Sequence, residues 1–577
     1  MARVPHWRAV AIATAIFQAP AGAFMLKTLG FRTSRAVVAL GVINSSSASA
    51  SIKESVTNAY VKLCDRLREI DRLNGVQAVL GWDEQVMMPS GAAKARSMQK
   101  SALAGAVFEK RTAADLGALV SELRRADTTD VLGAEKAAVV RDAIRDFDHE
   151  MRKSKDMAAR EAELEGRAYH AWVKARKEND WPAFAPLLSE MVHLKSEVAA
   201  ATRPEMGVYD ANIDVFERGM SRERLAEVFT ELKAGLTPLL SAILDKIKAD
   251  GDSSGDSSGA LSPSPSWEVK KQEALCRQIA EKLGFDLEHG RLDVSPHPFT
   301  SGFHPTDVRI TTRYSENWIE GIAGTVHEVC NVATQVGHAL YEQGRRGGSD
   351  NDDFDGLPIS RALSMGVHES QSLLWERMVF LGRPFWKFAT PLFHEHFPHT
   401  AECTSEDFYR AVNKVSPGLI RVNADEVTYP MHIILRFELE QALFSGDLKV
   451  ADVPAWWNKA MKDTLDVEVP SDAQGCLQDV HHAAGAFGYF PSYTLGAIMA
   501  CQFYEAAKRA IPDLEDKIAS GDFKPLKEWL NQNIHSIGSL YDSPDKLLEV
   551  VTGERLDPMA LVRHLTRKYS ELYKLQL

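Results

Sequence analysis

His327, Glu328 and His338 are the side chains of this chain closest to a recognisable chemistry. Imidazole is the commonest metal-binding side chain, and a carboxylate beside two metal-bound imidazoles can take the proton of a metal-bound water. In the pattern H-E-x-x-H the imidazoles stand one helical turn apart and share one ion, with the glutamate as base. Here Val329-Cys330-Asn331-Val332-Ala333-Thr334-Gln335-Val336-Gly337 separates Glu328 from His338, seven residues more than the pattern allows. His338 is followed by Ala-Leu-Tyr-Glu-Gln, mostly good helix formers, so it sits on a helix. Taken singly, a helical histidine is more often a surface or core residue than a ligand.

Other groups lie downstream. His368-Glu369-Ser370-Gln371 offers a glutamate from a following helix, the usual source of a third zinc ligand after two helix imidazoles. Glu426-Val-Thr-Tyr429-Pro-Met-His432 places a phenol near an imidazole. Gln478-Asp479-Val480-His481-His482, with Gly485 to Tyr489 behind it, offers a second such pair. Phenol and imidazole can donate hydrogen bonds to the oxyanion of a tetrahedral intermediate. Each is equally at home satisfying hydrogen bonds in a core.

The elements that must position these groups read as helices. Ser221 can cap a helix carrying Leu225, Val228, Phe229, Leu232 and Leu236 on one face. Amphipathic runs cover roughly 54–74, 132–152, 157–178 and 182–202. The best strand candidate is 308–314, β-branched with basic interleaving. Residues 251–266 are rich in Gly, Ser, Asp and Pro and read as a disordered surface insertion. The sum is a mostly α architecture with a small sheet near the middle. The 577 residues, 45% hydrophobic and 25% charged, suffice for a large core. A formal charge of −12 argues against nucleic acid as a main partner. Six scattered cysteines form no C-x-x-C pair, which suggests buried free thiols.

Taken together, the motifs resemble those of the M32 metallocarboxypeptidases, the carboxypeptidase Taq family. Gly81-Trp82-Asp83 with Met88-Pro89-Ser90-Gly91-Ala92 resembles its N-terminal signature, and Tyr209-Asp210 through Gly219-Met220 its next block. His297-Pro298-Phe299 matches its HPF motif, and Asp307-Val-Arg309-Ile-Thr311 matches D-x-R-x-T. His368-Glu369-Ser370-Gln371 matches its third-ligand motif, and Ile420-Arg421-Val-Asn-Ala424-Asp425 matches I-R-x-x-A-D. Gly488-Tyr489-Phe490-Pro491 with Leu495-Gly496 matches a late turn. The matches run in order over nearly all of 51–577, expected to be one catalytic domain.

The resemblance implies a neurolysin-like helical shell with a deep active-site groove, a homodimer, and release of single residues from peptide C-termini. It implies Zn²⁺, replaceable by Co²⁺, held by His327, His338 and Glu369, with Glu328 as the base. Arg421 is implied to grip the substrate's terminal carboxylate, because a guanidinium fork fits a carboxylate. Arg309 and His297 would close the groove end and so favour exo-cleavage. Tyr429, His432, His481 and Tyr489 are the oxyanion or supporting candidates. The HPF, D-x-R-x-T and I-R-x-x-A-D matches speak against an endo- or dipeptidase of the wider neurolysin-like group.

The departure from the family lies inside the metal motif. Removing residues 329–335 leaves His-Glu-Val-Gly-His-Ala-Leu-Tyr-Glu-Gln-Gly, a full match to the family pattern. In an unbroken helix seven residues rotate by about 700° and advance roughly 10.5 Å, so the two histidines share a face but stand about 16 Å apart. Zinc–nitrogen bonds are about 2.0–2.1 Å, and one ion cannot span that gap. Three readings follow. The segment can be a retained in-frame intron of 21 bases, since Val codons begin with GT and a Gln codon can be CAG. It can loop out as a bulge, at the cost of helix hydrogen bonds. Or the protein is a metal-free pseudopeptidase that keeps the groove for binding peptides.

Residues 1–50 contain five basic and no acidic side chains, with an apolar run at 9–17 and Ala21-Gly22-Ala23 before Phe24. This reads as a targeting presequence, signal plus transit-like, and points to a plastid reached by a two-part leader. Mitochondrial, secreted and cytoplasmic locations are the alternatives. No membrane span is expected elsewhere.

Overall fold

The computed structural model describes residues 45–125, 128–250, 267–295, 298–314, 322–348 and 352–576. Residues 1–44 of the expected presequence, the insertion expected at 251–266 and His297 lie outside the described residues, as do the side chains of His327 and Glu328.

The amphipathic runs form helices Ser45–Val86, Ala134–Arg152, Lys155–Glu178 and Trp181–Thr202. Their ends follow local chemistry. Ser154 Oγ accepts from Met157 N and Asp180 accepts from Ala183 N, each satisfying an orphan donor of a first turn. Between them Asn179 takes the left-handed conformation (φ 55°) that stops Lys155–Glu178. Ser221 Oγ accepts from Arg224 N at 3.1 Å and opens Arg222–Asp250. Leu225, Val228, Phe229, Leu232 and Leu236 are buried along that helix, as their spacing predicts.

Three strands form one sheet in the order β1 (Gly290–Val294), β3 (Asp307–Thr312), β2 (Thr300–His304). β1 runs parallel and β2 antiparallel to β3. The strand expected at 308–314 is β3, ending two residues earlier. β1 and β2 escape a sequence reading because Gly-Arg-Leu-Asp-Val and Thr-Ser-Gly-Phe-His carry few β-branched residues and a glycine each.

A smaller core gathers the N-terminal helices around Leu63, Val120, Leu123, Val139 and Val140, and Leu357 and Ile359 close it. The main core takes in the rest, from Leu164 to Tyr573. Cys64, Cys276, Cys403, Cys476 and Cys501 are buried. Among the described residues no helix is long and apolar enough to cross a membrane.

Three helices in the main core frame the site. The motif helix, Ile322–Gly344, runs without a break. A bulge at 329–335 is therefore not what this chain adopts. The reason is packing: Val332, Ala333 and Val336 are at most 1% exposed, so looping the segment out would unbury one helical face. The helix Met365–Leu373 starts at Ser364, whose side chain accepts from Val367 N. It crosses the motif helix at Gly337, where a Cβ would stand 2.7 Å from the Gln371 carbonyl oxygen. The helix Pro491–Ala510 packs on its other side through Gly496, where a Cβ would stand 2.8 Å from Glu369 Cβ.

Candidate active site

His338 and Glu369 meet where the motif helix crosses Met365–Leu373, with Nε2 3.4 Å from Oε2. His338 Nδ1 is buried without a hydrogen-bond partner. His368 stacks on His338 at 4.4 Å between ring centroids, and its Nε2 lies 3.0 Å from Glu342 Oε1. Burial works against the charge of Glu342, but Arg345 at 2.7 Å and the His368 contact hold its carboxyl down to about 2. Burial also opposes ionisation of Glu369. The His338 contact and the nearby His368 and Arg377 outweigh it and lower the pKa. A low-pKa carboxylate beside an imidazole with a free buried nitrogen is a pair of donors ready for a cation.

One turn before His338, Thr334 Oγ1 donates to Glu376 Oε2 at 2.6 Å. Burial raises the Glu376 pKa, and the charge of Glu369 adds to the rise. Next along the motif helix, Gln335 Oε1 accepts from Thr300 Oγ1 of β2 at 2.6 Å. The sheet is thereby tied to the motif helix.

A second cluster gathers around Arg421. Arg421 is 4% exposed. Its Nε and Nη2 both donate to Asp479 Oδ1, at 3.1 and 2.9 Å, and its Nη1 donates to Tyr429 Oη at 2.9 Å. Arg436, fully buried, donates through Nε to Asp479 Oδ2 and through Nη2 to Gln478 Oε1. Asp479 thus takes the inner edge of Arg421, and Tyr429 lies at its outer Nη1. The two clusters adjoin. Tyr429, Tyr489 and Tyr493 are raised first by burial and also by the charge of Glu369.

The supporting candidates take different places. His481 Nε2 lies 3.1 Å from Tyr493 Oη, and burial with Arg421 nearby pushes the ring down to about 3. His432 is fully buried and pushed down to about 3 by burial, Arg436 and Arg421. Both are neutral at ordinary pH. Tyr489 packs edge-on against Phe216 and against His481 and Tyr493. Arg309 stands on β3. It forms a two-point pair with Asp307 and its guanidinium lies 4.6 Å from the Trp82 ring and 4.8 Å from that of Phe303. Cation–π contact with Trp82, which Arg291 shares at 5.2 Å, gives the Gly81-Trp82-Asp83 signature a physical role.

Sequence reasoning missed Glu376, Arg377 and Arg436. Arg377 is 4% exposed, its Nε and Nη1 have no hydrogen-bond partner, and its guanidinium lies 4.9 Å from the Tyr429 ring. Arg436 stands four residues after His432, a spacing that could have flagged it.

Among the described residues the donor set for a metal does not close. Among the described residues no three His, Cys, Asp or Glu side chains converge on one point. His327 precedes His338 by eleven residues of continuous helix, about 16 Å along the axis. His338 and Glu369 are the two of the expected metal ligands whose side chains are described, and they meet.

The surroundings of that gap are those of a known group. A family model described as Carboxypeptidase Taq (M32) metallopeptidase matches residues 62–569. A protein of Thermus thermophilus named thermostable carboxypeptidase 1 is 38% identical over 525 residues, 89% of this chain and 99% of that protein. Carboxypeptidase 1 of Bacillus subtilis is 32% identical, over 89% of this chain and 98% of its own length. The crystal structure of the M32 carboxypeptidase from Deinococcus radiodurans superposes with a TM-score of 0.83 at 35% identity, covering 90% of this chain and all of that one. Trypanosoma cruzi metallocarboxypeptidase 1 gives 0.82 at 35%, over 89% and 99%. With a family model matched over residues 62–569 and relatives matched over nearly their full length in sequence and in fold, this chain belongs to the M32 (carboxypeptidase Taq) metallopeptidase family.

Proposed function

We propose that this protein is a metallocarboxypeptidase that releases single residues from the C-termini of peptides. The observation that carries the reading is the junction of two clusters: His338 with Glu369, and the outer edge of Arg421 with Tyr429. The first supplies two metal donors and the second receives a terminal carboxylate. Asp479 and Arg436 fix the Arg421 guanidinium, so binding does not require it to be ordered first. Neutral His481, held by Tyr493, and Tyr489 beside it are the donors nearest to a developing oxyanion. Zinc is the metal we assign, from the His and Glu donors; cobalt is the natural substitute. The ligand set closes when residues 329–335 are absent, because His327 and Glu328 then return to H-E-x-x-H spacing. A homodimer, and a plastid location set by residues 1–50, belong to the same proposal and rest on family resemblance and leader composition respectively.

A second reading is favoured by the unbroken motif helix. With residues 329–335 in place, the protein binds peptide C-termini and does not cleave them.

The test offers peptides with free and with amidated C-termini to two chains, one as written and one lacking 329–335. Mass spectrometry follows the products, with and without chelator. Stepwise, chelator-sensitive loss of C-terminal residues from free-ended peptides alone is expected of the shortened chain. If neither chain removes a residue, the enzyme reading fails.

A further inference from the structure

The seven residues 329–335 advance a helix by nearly two turns, so they move His327 and Glu328 along the axis without changing face. Two other residues then stand where those two would be. Thr334 follows His327 by seven residues and precedes His338 by four; Gln335 follows Glu328 by seven. Both are placed to act on the site. Thr334 Oγ1 contacts Glu376, seven residues beyond Glu369, and one helical turn separates Thr334 from His338. Gln335 is partly exposed beside His338 and is held by Thr300 at 2.6 Å.

From this register we infer that Thr334 and Gln335 occupy the second-imidazole and general-base positions of the site, so that residues 329–335 act as a two-turn register shift that disarms it. The inference rests on the metallocarboxypeptidase reading above. Its chemistry follows from the side chains. A threonine hydroxyl is a poor zinc donor beside imidazole. Glutamine has the shape of glutamate, but its carboxamide takes up no proton near neutral pH, so it holds the place of a base without acting as one. The chain as written is therefore two side chains away from a complete site: Thr334→His with Gln335→Glu rebuilds His-Glu-Val-Gly-His without deleting a residue or breaking the motif helix. Thr334 faces a carboxylate and is only partly buried, so an imidazole there has both room and partners.

The experiment compares five full-length chains: as written, Thr334→His, Gln335→Glu, the double variant, and the chain lacking 329–335. Co²⁺ is the probe, read by its visible d–d absorption, and zinc content after dialysis is read by mass spectrometry. Thermal melts report folding for each chain. Thr334→His and the double variant are expected to hold one ion per chain. They should do so with an affinity gain exceeding the roughly 10–100-fold that outer-shell partners supply. The shortened chain should match them, while the chain as written and Gln335→Glu should not. Release of C-terminal residues is expected of the double variant and the shortened chain alone, since Thr334→His restores a ligand without a base. The inference is overturned if the chain as written holds one ion as tightly as the shortened chain. It is equally overturned if the folded double variant gains no metal while the shortened chain does, or if neither gains any. If both bind metal and neither cleaves, the register inference stands and the carboxypeptidase reading fails.

Discussion

Arg421 is a buried guanidinium held in a fixed orientation. Asp479 takes its Nε and Nη2, Arg436 neutralises the rest of Asp479, and Tyr429 meets Nη1. Hydrogen bonds to a charged group are worth about 1.5–3 kcal/mol, a factor of roughly 10–150. In the shortened chain Arg421→Met should therefore lower kcat/KM for free-ended peptides by about that factor, mainly through KM. Steady-state kinetics on free-ended peptides would show it. A loss under twofold would move the carboxylate grip to another cation. Arg377, buried against Tyr429 with two nitrogens unpartnered, is the next in reach. Arg421, Tyr429 and His481 were legible in the sequence because each sits in a motif of several fixed residues. Arg377 was not, because an arginine beside Glu376 reads as a solvated helical charge until tertiary packing buries it.

At the scale of elements, two glycines set how closely the motif helix and Pro491–Ala510 approach Met365–Leu373. A Cβ on Gly337 would meet the Gln371 carbonyl oxygen and Ser372 Cα at 2.7 and 2.8 Å, and one on Gly496 would meet Glu369 Cβ at 2.8 Å. These are backbone or near-backbone atoms that cannot swing aside. Gly337→Ala and Gly496→Ala should each cost about 1–3 kcal/mol in denaturant unfolding. Gly496→Ala should also weaken metal binding in the shortened chain by pushing Glu369 off its place. Gly81, in helix Ser45–Val86 with nothing within 4 Å of its Cβ position, is the control. Gly81→Ala should leave stability unchanged or raise it by about 0.4–1 kcal/mol. Equal losses at all three sites would refute close approach as the cause. Helix existence was legible from apolar spacing and from caps such as Ser221. Close helix crossings were not, because a glycine inside a helical pattern does not say which backbone it meets. The continuous motif helix was legible only as one of three outcomes. Val332, Ala333 and Val336 decide it, and their burial is a tertiary fact.

For the whole molecule, buried titratable groups pull the pH dependence of stability in opposite directions. His432, His481 and His535 are each pushed down to about 3, with burial the first cause. The unfolded chain protonates these rings near pH 6.5, so it binds more protons than the native state below that value, and stability falls as pH drops from about 6.5 towards 3. Glu217 does the reverse. It is fully buried, accepts from Gly366 N and Ser492 Oγ, and burial raises it to about 7. Between its unfolded value near 4.5 and about 7 the native state is the one that holds the proton, so stability falls as pH rises through that window. Among these four groups the three histidines outweigh the glutamate and give a rise in stability from pH 5 to 6.5. Glu217→Gln keeps an oxygen for Gly366 and Ser492 and removes the opposing slope. Urea unfolding at pH 5, 6, 7 and 8 should show the variant gaining on the parent by roughly 3 kcal/mol across the window. Parallel profiles for the two chains would mean that Glu217 ionises in the folded protein as readily as in the unfolded one, and that the anchor between Met365–Leu373 and Pro491–Ala510 is a charged carboxylate rather than a protonated one.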